Sequence, residues 1–203
     1  MASDLISWIA VGVILLTSAT ILVSRDWRAS LGALGVQYLA MFLLVIHHLP
    51  FVMGAAKLIT GWMVVAVLGM TRLSLSTANE GNEGSLSSRW FRVALIGVVA
   101  FVTAGITTRI ESAIPGLGLQ VVAGSLLLIG GGIIHLGVTS DLLNTILGLL
   151  TMLAGFEIVY AAVESSILVA GLLAIVNLGL GLAGSYLLVA GTIPTESEAE
   201  EEL

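Results

Sequence analysis

LLNTILGLLTMLAGFEIVYAAV, residues 142–163, is the stretch that decides the fold. Its 22 residues make about 33 Å of α-helix at 1.5 Å per residue, enough to cross a hydrocarbon core of about 30 Å. The run is apolar on every side, whereas a membrane β-strand alternates in polarity over about ten residues. It carries one charged side chain, Glu157. Thr139-Ser140-Asp141 ahead of it reads as a helix N-cap, and Glu164-Ser165-Ser166 behind it as a turn.

Working outward, six more stretches have this character, at about residues 5–24, 29–48, 50–70, 90–110, 117–138 and 167–190. The expected fold is therefore all-α, a polytopic transmembrane bundle of about seven helices. Charged breaks separate them: Arg25-Asp26-Trp27-Arg28 after the first, and Arg109 and Glu111 with Pro115-Gly116 after the fourth. Pro50 suits the first turn of the third helix, where a missing N–H costs nothing. Asp4 stands where a signal peptide would carry basic residues, so the first helix reads as a retained anchor.

Composition agrees. Of the 203 residues 58% are hydrophobic and 10% charged, against about 25% charged in a soluble domain, and the mean hydropathy is +1.11. Too little charge remains for a soluble globular protein or for the basic patches of a nucleic-acid binder. With no cysteine, a disulfide scaffold, a thiolate zinc site and a thiol nucleophile are excluded. Five of the thirteen acids lie in the last eight residues, so the net charge of −6 describes a tail and not a surface field.

The organisation reads as a three-helix membrane unit (1–73), a polar Gly/Ser-rich linker (74–89), a connecting helix (90–116), a second three-helix unit (117–191) and a disordered acidic tail (192–203). Arg25 and Arg28 flank the first loop, and Arg72, Arg89 and Arg92 flank the linker. The positive-inside rule then puts the N-terminus outside and the tail in the cytoplasm, with Arg109 dissenting. The expected location is a prokaryotic cytoplasmic membrane, an expectation that rests on the family resemblance given below.

Polar groups at bilayer depth are the informative ones, because a charge buried there is costly unless paired or hydrated. Glu157, two thirds of the way along the sixth helix, reads as a protonatable relay carboxylate, or as a carboxyl held by a Tyr or Asn of the bundle. Lys57, about two turns into the third helix, reads as a second relay group or as a lysine snorkelling to the interface. Gln37 and Asn177, mid-helix and neutral, read as interhelical glue that can also hold water. Tyr160, three residues after Glu157, can hydrogen-bond it.

His47 and His48 end the second helix, and His135 lies near the other end of the fifth. Axial haem ligation wants histidines at matching depth, so these read as interface anchors and no cofactor is expected. The GxGxxG of residues 179–184 lies inside an apolar run and not after a strand. It reads as packing notches, as does Gly130-Gly131-Gly132 unless that triplet is a kink. No metal cage, P-loop or hydrolase triad is present.

LLTMLAGFEIVYAA, residues 149–162, resembles the second helix of the K-type membrane subunit of respiratory complex I, with Gly155-Phe156-Glu157 on that family's Gly-Leu-Glu. IVNLGLGLAGSYLL, residues 175–188, is similar to its third helix, and the resemblance covers about residues 118–192. That family's second helix-borne Glu falls at Asn177, which carries no proton, and the loop before the third helix is shorter than usual. The added N-terminal half is similar to component E of formate-hydrogenlyase-type membrane hydrogenases. Within it, Leu34-Gly35-Val36-Gln37 echoes Ala154-Gly155-Phe156-Glu157 at an offset of 120, and Val52-Met53-Gly54 echoes Val169-Ala170-Gly171 at 117, the pattern of a degenerate duplication.

The resemblance implies a non-catalytic membrane subunit of a complex I-like or hydrogenase-like assembly, contributing to proton or sodium translocation coupled to electron transfer. Its partners would be antiporter-like and other membrane-arm subunits within the lipid bilayer, with Glu157 and Lys57 as relay and Gln37, Asn177 and Tyr160 in support. Two other classes are a structural subunit that only packs its partners, which Asn177 favours, and a small free-standing transporter.

Overall fold

The computed structural model describes residues 2–24, 26–46, 50–75, 86–114, 116–164 and 166–192. Arg25, His47, His48, Pro115, the middle of the linker and the acidic tail beyond Thr192 lie outside the described residues. Among those described, the chain is helical throughout: α1 (Ala2–Val23), α2 (Trp27–Val45), α3 (Phe51–Leu75), α4 (Leu86–Ala113), α5 (Leu119–Val138), α6 (Leu142–Val163) and α7 (Ile167–Ala190). All seven are long and apolar enough to cross a membrane, the arrangement of a multi-pass membrane protein.

Local chemistry sets the ends. The Asp141 carboxylate accepts from the Asn144 N–H at 3.3 Å and caps α6, and Asp26 caps α2 by accepting from Arg28 N at 2.9 Å. The Pro50 carbonyl takes the first helical bonds of α3, from Met53 and Gly54. Gly116 and Gly118 have φ of 102° and 81° in the turn between α4 and α5, a backbone region that L side chains rarely adopt. The linker is shorter than its polarity suggests, because α3 runs on to Leu75 and α4 starts at Leu86.

α5 is the hub, packing along α6, α1 and α4 and touching α2. The three glycines of its Gly130-Gly131-Gly132 run each meet a different neighbour. A Cβ at Gly130 would press into Val99 of α4, and one at Gly131 would touch Ser18 of α1. At Gly132 it would stand 2.7 Å from Met152 N and 2.8 Å from Gly148 O, the α6 backbone itself. Gly155 makes the reciprocal approach, with Ser125 O and Ile129 N of α5 both at 2.9 Å. The triplet is thus a set of notches that bring backbones together. In the GxGxxG run Gly181 abuts Val64 and Gly184 abuts Ile146, while Gly179 faces open space.

On the other side of the bundle α3 packs on α2 and α7, and α6 packs on α2 and α7. Among the described residues α3 and α6 do not pack backbone to backbone, and neither do α2 and α7. These four helices therefore form a diamond whose two diagonals can be bridged only by long side chains.

Candidate functional site

Both diagonals are bridged, and the bridges are polar. Lys57 Nζ of α3 lies 3.1 Å from Glu157 Oε2 of α6, with the side chains 7% and 2% exposed. The Tyr38 hydroxyl of α2 donates to Asn177 Oδ1 of α7 at 2.9 Å, again buried.

Depth explains why the first pair meets. Lys57 lies six residues after the start of α3, and Glu157 six before the end of α6. Each is thus about 9 Å from its helix end at 1.5 Å per residue. Those ends face the same side, because α2 turns into α3 there and α6 turns into α7. Lys57 therefore does not snorkel: its stem crosses the diamond to the one carboxylate at its level. A charge pair out of water persists when its geometry is good and the remaining bonds are made.

The structure corrects three expectations here. The partner of Glu157 is neither Tyr160 nor another Tyr or Asn of the bundle, but the lysine of a helix that does not pack against α6. The Tyr160 hydroxyl is buried and has no hydrogen-bond partner among the described residues. It lies a turn nearer the end of α6 than a carboxylate that reaches away toward α3. His135, read as an interface anchor, is 3% exposed, with its ring edge against the Gly148 notch of α6.

Gln37 and Asn177 are both buried, as mid-helix polar groups should be, but only Asn177 acts as glue. The amide N and O of Gln37 have no partner among the described residues. Tyr38, which holds Asn177, escaped the sequence reading; its signal was a hydroxyl beside Gln37 in the middle of an apolar helix. Arg92 was read only as a topology marker, yet its Nη1 donates to the Leu22 carbonyl at 2.8 Å, joining α4 to the last turn of α1. A cation there suits the negative end of the helix dipole.

A shallow cleft between α2 and α3 is lined by Met41, Phe42, Val45, Gly54 and Leu58 together with Tyr38 and Lys57. The Phe42 ring would lie 3.2 Å from a Cβ at Gly54, so the glycine makes room there for the ring between α2 and α3. Among the described residues no group of three or more His, Cys, Asp or Glu could hold a metal ion.

The Tyr38–Asn177 bond can be weighed by mutation. Tyr38→Phe leaves a buried Asn177 carbonyl oxygen without its donor, at an expected cost of about 1–3 kcal/mol. A shift in thermal midpoint of the purified protein measures it.

No protein-family model, curated protein or solved structure matches this chain.

Proposed function

We propose that this chain is a non-catalytic membrane subunit of a complex I-like or hydrogenase-like assembly, and that the Lys57–Glu157 pair passes protons within it. The observation that carries the reading is the buried ion pair, 3.1 Å long, at matching depth on two helices that do not pack together. Intramembrane ionisable groups are expensive, and such groups mark ion and proton pathways more often than they serve stability. Lys57 donates a hydrogen bond to Glu157 across this distance, the kind of contact along which a relay would hand on a proton.

In this reading the N-terminus is outside a prokaryotic cytoplasmic membrane, the partners are antiporter-like membrane-arm subunits, and the chain binds no cofactor of its own. Sodium is the alternative ion. A structural subunit is the second reading, favoured by Asn177, whose neutral bond to Tyr38 gives half of the cross no proton to carry.

Glu157→Gln tests the first reading. In the intact assembly it is expected to abolish ion translocation while electron transfer continues. Full translocation by that variant would leave the structural reading.

A further inference from the structure

The helix contacts obey an exchange rule. Swapping α1 with α5, α2 with α6 and α3 with α7 turns the α1–α2 contact into α5–α6, α2–α3 into α6–α7, and α2–α5 into α1–α6, all of which exist. The remaining contacts α1–α5, α2–α6 and α3–α7 map onto themselves, and α4 packs on both α1 and α5. Three helices plus a connecting one return the second half to the direction of the first. Such halves are related by an axis along the membrane normal.

Burial sets the register. Along α3 and α7 an offset of 120 aligns Lys57 with Asn177, Gly61 with Gly181 and Leu68 with Leu188, buried in every case. The same offset aligns Leu34 with Ala154, Gln37 with Glu157 and Met41 with Ala161 along α2 and α6, all buried. The offset of 117 read from Val52-Met53-Gly54 is thus replaced by 120, and one offset serves both helix pairs.

Applied to the site, this register maps the charged diagonal onto the neutral one. Lys57 on α3 becomes Asn177 on α7, and Glu157 on α6 becomes Gln37 on α2. The mapping also accounts for the orphaned Gln37 amide, 1% exposed and without a partner among the described residues. Asn is two heavy atoms shorter than Lys, so it stops short of Gln37, and the long Tyr38 side chain reaches it instead.

We propose that Gln37 and Asn177 form a second, uncharged copy of the Lys57–Glu157 site, able to hold a buried ammonium–carboxylate pair of its own. The inference does not depend on proton translocation, and its test reads folding alone. Asn177→Lys by itself buries an ammonium with no carboxylate beyond the Glu157 already paired with Lys57, and the thermal midpoint of the purified full chain is expected to fall, on the order of 10 °C. Adding Gln37→Glu is expected to recover most of that loss, or of the folded yield where the single variant does not fold. Adding Leu34→Glu, a buried carboxyl one turn away on the same helix, is expected to recover none of it. The proposal is overturned if Asn177→Lys costs nothing, if Gln37→Glu does not rescue it, or if Leu34→Glu rescues it equally.

Discussion

Glu157→Leu is expected to cost about 3–5 kcal/mol of folded-state stability, and Lys57→Met in the same chain to restore most of it. The asymmetry follows from where the pair lies. With the carboxylate gone, the Lys57 ammonium stays about 9 Å from its helix end with no acceptor of like charge strength, since α3 and α6 are held apart by α2 and α7. The apolar side chains that line the cleft beside it include Met41, Phe42, Val45 and Leu58. Removing both partners leaves no charge to strand, and Leu with Met nearly conserves the volume. Denaturation of the two single variants and the double variant in one detergent gives the coupling directly. A double variant that loses the sum of the two single losses would mean that the 3.1 Å contact does not couple the two side chains.

The second large effect belongs to the hub. A side chain at Gly132 meets the α6 backbone at 2.7 and 2.8 Å, and backbone cannot swing aside as a rotamer can. Gly132→Val is therefore expected to force α5 from α6 and to cost about 3 kcal/mol or more, the upper end of overpacking penalties. Gly137→Val, five residues along the same helix with nothing within 4 Å of its Cβ position, is the matched control. Its stability is expected to stay within about 1 kcal/mol of the parent, the helix-propensity difference between the two residue types being small. Folded fraction against temperature separates the two variants.

The limits of the sequence reading follow from particular residues. The bounds of α6 and α7 coincide with those read from the apolar runs, because Asp141 and Glu164 cap α6 and Ser166 precedes α7. α4 begins earlier than read, at Leu86 rather than near Trp90, since polar residues can occupy a first turn that hydropathy does not count. Glu157 and Lys57 stand out in sequence as charges within apolar helices. Their pairing does not, because it depends on α2 and α7 separating α3 from α6, and no helical periodicity encodes the order of helices around a bundle. For the same reason the sequence points to Tyr160 as a hydrogen-bond partner of Glu157 and not to Lys57, a hundred residues away. His135 lies in the last turn of α5, where its burial rests on the Gly148 notch of another helix, a contact the sequence does not encode.

Ion translocation per electron in the assembly carrying Lys57→Met and Glu157→Leu together tests the central claim most directly. This variant keeps the fold by the argument above, so a change in transport cannot be laid to misfolding. The expected result is an assembled complex with electron transfer intact and translocation lost. Translocation at the parent level from that complex would contradict the claim that the buried Lys57–Glu157 pair carries the proton.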